Sequence, residues 1–142
     1  MTPGLPNPAS IQNYFGLQDP RFQSPVMPMI LPITLNATTV LTPAQLMQGM
    51  INMTAAGATT LTLPAAADLA AAIQGCMVGT SFWFLVRGTG AGTVTIAPGT
   101  GGTMSGTNNV TTTNTREYLI NFTNVSPGTQ AYTVYAGPEG PF

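Results

Sequence analysis

The sequence predicts an all-β fold: an antiparallel β-sandwich of jelly-roll type, with one short Ala-rich helix and an extended Pro-rich N-terminal arm. Three observations predict it. Short runs alternate apolar and polar residues, as at Leu61/Leu63, Val94/Ile96, Tyr118/Ile120/Phe122 and Tyr132/Val134, the period of a half-buried strand. Gly- and Pro-rich clusters separate these runs at close spacing, as in sandwiches and barrels. A single stretch, residues 65–73, combines Ala richness with apolar residues at helical spacing. The expected organisation is an arm over residues 1–36, a sandwich over residues 37–137 and a short tail over residues 138–142.

The arm differs in kind from the rest of the chain. Pro3, Pro6, Pro8, Pro20, Pro25, Pro28 and Pro32 are more than half of the 13 prolines, a density that forbids helix interiors and central strands. Yet the segment carries Leu5, Ile11, Tyr14, Phe15, Phe22, Met27, Met29, Ile30 and Leu31. Disordered chains are poor in such residues. A nearly uncharged, apolar, Pro-stiffened segment reads as an arm that lies on another surface, since its restricted backbone loses less entropy on docking. Asp19 and Arg21 flank Pro20, as a local ion pair or a contact to a partner; an exposed pair contributes only about 0–1 kcal/mol. The bland alternative is that the arm covers its own domain.

Residues 38–42 open the first strand and Pro43 interrupts it. Residues 44–53 fit either period, with Leu46, Met47, Met50 and Ile51 forming a stripe if helical. Gly49 and the dense Thr flanks favour a strand. Residues 60–63 form a strand that Pro64 stops. The helix over residues 65–73 sets Leu69 and Ile73 on one face and Asp68 near its positive end, and Gly75 terminates it. After Gly79 comes a strand with Phe82, Phe84 and Val86 on one face and Trp83, Leu85 and Arg87 on the other. Apolar residues on both faces predict cover on both sides. Residues 88–92 read as the turn of a hairpin into the strand of Val94 and Ile96. Residues 98–109 read as a loop, residues 110–113 and 116–123 as strands, Pro127-Gly128 as a turn and residues 130–136 as the last strand. Trp83, Leu85, Met47 and Met50 are the candidate subunit interface, Trp being a favoured anchor.

Composition narrows the chemistry. Of 142 residues only 5% are charged, with no Lys, no His, three Arg and a net charge of -1. That excludes an electrostatic nucleic-acid footprint. No run of 18 or more apolar residues predicts a membrane span, and no secretory signal is visible. Cys76, the single cysteine, reads as a small buried hydrophobe. The methionines read as core and interface filler rather than metal ligands. The glycines of residues 98–109 lack the Gly-Lys-[Ser/Thr] of a phosphate loop. Without His or Lys no base serves a nucleophile. A carboxylate pair of Asp68 and Glu117 is the one conceivable acid–base set, and Asp68 reads better as a helix N-terminal residue. Sequons at Asn36, Asn52, Asn109, Asn121 and Asn124 are expected by chance in a chain so rich in Thr and Asn. No catalytic residue, metal or cofactor is expected.

Leu63-Pro64, the Ala-rich helix ending at Ile73, Gly79-Thr80-Ser81-Phe82 with Phe84, Thr89-Gly90, Gly92-Thr93-Val94-Thr95-Ile96 and Gly99-Thr100-Gly101 form a pattern that resembles small virion-surface proteins of tailed phages. These are capsid decoration, head-fibre and related appendage modules, with similar segments in structural proteins of giant DNA viruses. The resemblance spans residues 38–136; Arg87-Gly88 and the Met-rich stretch depart from it. It implies a β-sandwich, a homotrimer on the capsid surface of the virion, and contact with the major capsid protein or other virion proteins. It implies no catalytic residue. Three functions are expected, in this order: a decoration or cement protein held to the shell by its arm; a tail or head fibre, or receptor-binding appendage, reaching a host through residues 98–109; and a non-viral carbohydrate-binding or adhesin module.

Overall fold

A computed structural model describes residues 31–142 of the chain. The order of elements is β1 (Ile33–Leu35), β2 (Thr39–Val40), α1 (Pro43–Met47), β3 (Met50–Met53), β4 (Thr59–Thr62), α2 (Ala66–Ala72), β5 (Ser81–Gly88), β6 (Val94–Ala97), β7 (Gly102–Ser105), β8 (Asn109–Val110), β9 (Asn114–Asn124) and β10 (Ala131–Pro141). They build a six-stranded sheet, order β1-β3-β5-β9-β10-β7, and a four-stranded sheet, order β2-β4-β6-β8.

Both sheets are mixed, which corrects the antiparallel expectation. β1–β3, β3–β5, β2–β4, β4–β6 and β7–β10 pair in parallel. Among the described residues only β5–β9, β9–β10 and β6–β8 are antiparallel. The first six strands alternate between the sheets, and each lies beside the strand two places earlier. The chain therefore winds as a coil. Its corners stack by backbone hydrogen bonds: Thr54 N–H to Leu35 O at 2.8 Å, then Thr89 N–H to Met53 O at 2.8 Å. On the opposite side Leu41 N–H reaches Thr62 O and Leu63 N–H reaches Ala97 O, both at 2.8 Å.

This coil overturns the expected hairpin at residues 88–92. β5 belongs to the six-stranded sheet and β6 to the four-stranded one, so the Gly-rich segment crosses between sheets. Burial decides it. Leu61 and Ile96 are partners across β4 and β6 and both are fully buried, so parallel pairing puts both in the core. At about 25 cal/mol per Å² of apolar surface, burying such side chains contributes about 1.5–3 kcal/mol each.

Residues 44–53 split rather than forming one strand. α1 begins with a capping box: Gln45 N–H donates to Thr42 Oγ1 at 3.2 Å and Thr42 N–H to Gln45 Oε1 at 3.0 Å. Pro43 occupies the first turn, where its missing N–H costs nothing. Gly49, at φ +86°, ends the helix and leads into β3. The Gly read as interrupting a strand is thus the stop of a helix. α2 matches its expected span closely, with Leu69 buried and Asp68 in the first turn. Three smaller boundaries move. β1 pairs within the expected arm, β10 runs through Pro141 into the expected tail, and β7 forms inside the expected loop. The expected strand over residues 110–113 shrinks to β8, and Thr113 turns at φ +63°.

The two sheets enclose one core, with Leu61, Ile96 and Val110 from one and Ile51, Val86, Ile120 and Val134 from the other. Phe84 stacks on Tyr118 at 5.2 Å between centroids. Tyr132 ties the layers together: its hydroxyl donates to Pro64 O at 2.9 Å and accepts from Gly99 N–H at 3.0 Å. Burial pushes its phenol pKa up, against the Gly99 bond, which lowers it. Tyr132→Phe leaves a buried N–H and C=O unpaired and is expected to cost about 1–3 kcal/mol in urea unfolding. A loss below the error of that measurement would mean that the bonds to Pro64 and Gly99 are absent in solution.

Candidate functional site

The alternation of β3, β5, β9 and β10 sends one set of side chains into the core and the other to the outer face of the six-stranded sheet. On β5, Phe84 and Val86 are buried, while Trp83 is 59% exposed and Leu85 half-buried. The cover expected on both sides of this strand is therefore present on one side only, among the described residues. Cross-strand register assembles the outer face. Trp83 is paired with Leu119, and Leu119 with Tyr135, which is also exposed. One step along, Met50 is paired with Leu85, and Leu85 with Glu117. One step further, Asn52 is paired with Arg87.

The structure thus brings together the four residues singled out as an interface. Leu85 and Met50 are neighbours in adjacent strands. Met47, exposed on α1, lines a cleft of about 260 Å³ with Trp83, Phe82 and Ile73. Sequence reasoning missed Leu119, Tyr135 and Phe142. The signal was present: if Tyr118, Ile120 and Val134 face the core, then Leu119 and Tyr135 must face away. Of the arm candidates, Leu31 is described and exposed; Leu5, Ile11, Tyr14, Phe15, Arg21, Phe22, Met27, Met29 and Ile30 lie outside the described residues.

The electrostatics of this face are sparse. Arg87 lays its guanidinium over the Phe142 ring, 3.7 Å from the centroid, a contact worth about 0.5–1 kcal/mol at exposed sites. Arg87 Nε and the neighbouring Asn52 Oδ1 are buried with no hydrogen-bond partner among the described residues. Glu117 is exposed on β9. An outer face with an apolar row of Trp83, Leu119 and Tyr135, flanked by polar residues and two opposite charges, suits association with another polypeptide.

The other charges are placed elsewhere. Arg116 is buried and meets Glu139 at 3.1 Å. Asp68 lines a cavity of about 370 Å³ with Leu41, Pro43, Pro64 and Gly99, whose lining does not include Glu117. No group of three His, Cys, Asp or Glu stands together among the described residues. Cys76 is half-buried rather than buried; burial pushes its thiol pKa up, partly offset by the hydrogen bond with Thr80. No helix among the described residues is long and apolar enough to cross a membrane. No family model matches the chain, and neither a curated protein nor a solved structure does.

Proposed function

We propose that this chain is a non-enzymatic structural component of a virus particle: a capsid decoration or cement protein, held to the shell through its N-terminal arm. The observation that carries the reading is the row of Trp83, Leu119 and Tyr135 on the outer face of the sheet, with Trp83 and Tyr135 exposed, in a chain with so few charges. Exposed apolar patches of this kind mark association surfaces. The partners in this reading are the major capsid protein and sister copies in a trimer on the capsid surface. The mechanism is mechanical. Each contact between capsomers removes apolar area from water, at about 25 cal/mol per Å² before association costs.

Co-sedimentation with undecorated capsids tests it, comparing the full chain with one lacking residues 1–30, which keeps β1 in the sheet. The full chain is expected to pellet and the shortened chain to remain in solution. If both pellet alike, the β unit makes the contact and the arm is not the anchor. If neither pellets, the capsid reading fails.

A further inference from the structure

We propose that the outer face of the six-stranded sheet is a binding site for a neutral, linear glycan, which stacks on Trp83 and Tyr135 and hydrogen-bonds to a row of polar side chains beside them. The inference goes beyond the virion reading and stands or falls apart from it.

Strand register builds two rows on this face. The first is Trp83, Leu119 and Tyr135, one residue from each of β5, β9 and β10. Trp83 and Tyr135 are exposed, and Leu119 between them is half-buried. Two strand spacings separate the rings, about 9–10 Å. The second row is Ser81, Asn121, Thr133 and Thr103, from β5, β9, β10 and β7. It runs beside the first, two residues away along each strand, about 6–7 Å.

The polar row is held in place before any ligand arrives. Asn121 Nδ2 donates to Ser81 Oγ at 2.7 Å, and Ser81 Oγ donates to Gly79 O at 3.0 Å. The hydroxyls of Thr103 and Thr133 share a hydrogen bond at 3.1 Å. Side chains fixed in this way have little rotamer freedom left to lose on binding. The bonds use the Asn121 amide nitrogen and leave its carboxamide oxygen, and a lone pair on each hydroxyl, able to accept from a ligand.

The two rows together select the ligand. A pyranose ring carries C–H groups on its faces and hydroxyls around its edge. Its face matches an aromatic ring, whose π surface is negative, and its edge matches the polar row. Neither row holds a charged side chain, and Arg87, on the same face, already lies under the Phe142 ring, so the ligand that fits is neutral. Rings about 9–10 Å apart stack different sugars of one chain rather than a single sugar. Trp83 and Ser81 also line the cleft of about 260 Å³ with Met47 and Ile73, just under the usual ligand-pocket range of about 300–1,000 Å³, which suits one sugar at the end of that chain. β5, β9 and β10 are each paired on both sides, so the face offers an extended peptide no free backbone to pair with.

The test applies the full-length protein to an array of immobilised neutral glycans, linear and branched, built of glucose, mannose, galactose or N-acetylglucosamine. Retention on at least one linear glycan is expected. Trp83 is the only Trp in the chain, so titration with that glycan as a soluble oligosaccharide is expected to shift the emission to shorter wavelength. Trp83→Ala is expected to weaken binding at least about tenfold, and Tyr135→Ala about three- to tenfold. Both side chains are exposed, so the core is unchanged, which far-UV circular dichroism verifies. Glu117→Gln and added salt are expected to leave binding within about twofold. Retention on none of the glycans overturns the proposal. Binding that survives both Trp83→Ala and Tyr135→Ala overturns it by placing the ligand elsewhere, and binding abolished by salt overturns it by making charge the attraction. Emission that moves to longer wavelength on dilution, with no glycan present, also overturns it, because a second copy then covers the row. None of these results involves capsids, so failure here is separable from failure of the virion reading.

Discussion

Glu139→Ala is expected to loosen the C-terminal strand and lower stability by about 2–3 kcal/mol, because it strands a buried Arg116. Arg116 donates from Nε to Asn109 O at 3.0 Å, from Nη1 to Gly137 O at 2.8 Å and from Nη2 to Glu139 Oε2 at 3.1 Å. The other Glu139 oxygen accepts from the backbone and hydroxyl of Thr111. Four segments, β8, the turn after it, β9 and β10, thus meet at one charge pair. The Arg116 side chain is 9% exposed and that of Glu139 20%, so the loss sits below that of a fully enclosed pair. Urea unfolding with a far-UV readout measures it. A loss under about 0.5 kcal/mol, the usual range for surface substitutions, would show that the pair is solvated and that packing alone holds β10.

The same carboxylate carries a pH dependence whose sign is fixed. Burial pushes its pKa up, but the Thr111 and Asn114 hydrogen bonds and the Arg116 charge outweigh that, and the folded pKa lies below the ordinary 4.5. A lowered carboxyl pKa stabilises the folded state fully above the unfolded value. That stabilisation is lost as pH falls from about 4.5 through the folded value. Glu139→Gln is expected to flatten the stability–pH curve in that window and leave its shape above about pH 6 unchanged. An unaltered acid limb would mean that the Glu139 carboxylate does not set the acid sensitivity of the fold.

Gly92→Ala is expected to be the most damaging glycine-to-alanine change among the described residues, costing about 3 kcal/mol or more. A Cβ at Gly92 would lie 1.9 Å from Gly57 O and 2.2 Å from Gly57 C. Both are backbone atoms of the preceding corner of the coil, which cannot swing aside as a side chain does. Gly92 N–H is bonded to Ala55 O at 3.2 Å, so separating the corners breaks the stack as well. The midpoint of thermal unfolding is expected to fall by about 10 °C. Gly57→Ala is the internal control: its Cβ meets nothing within 4 Å and its φ is not positive, so it is expected to change stability by less than about 0.5 kcal/mol. Equal effects from the two substitutions would mean that the corners are not stacked.

Local chemistry was legible in the sequence wherever one segment sufficed. The Ala run with Leu69, the alternation of Tyr118, Ile120 and Phe122, and the turn at Pro127-Gly128 all stand close to where the pattern set them. α1 was legible and misread: Thr42, Pro43, Gln45 and Gly49 together spell a capped helix, but a five-residue helix is too short for its period to outweigh a β-like context. Of the candidate site, Trp83 and Leu85 were visible as apolar residues on a second strand face, and Met47 and Met50 as apolar residues of a stretch that fits either period. Leu119 and Tyr135 were legible as well, by alternation with Tyr118, Ile120 and Val134, and were passed over.

Sequence alone determined the alternation of the strands around Leu61, Val94, Tyr118 and Tyr132, the short helix expected over residues 65–73, the scarcity of charge and the Pro-rich character of the N-terminal segment. Tertiary structure alone decided the partners. Alternation says which side chains share a face, not whether the next strand lies beside it or across the core. The glycines of residues 88–92 suit a hairpin turn and a close-packed corner equally. What separates the two is the burial of Leu61 against Ile96 and the stacking of Gly92 on Gly57. Those are contacts between residues far apart in the chain, on which no local pattern bears.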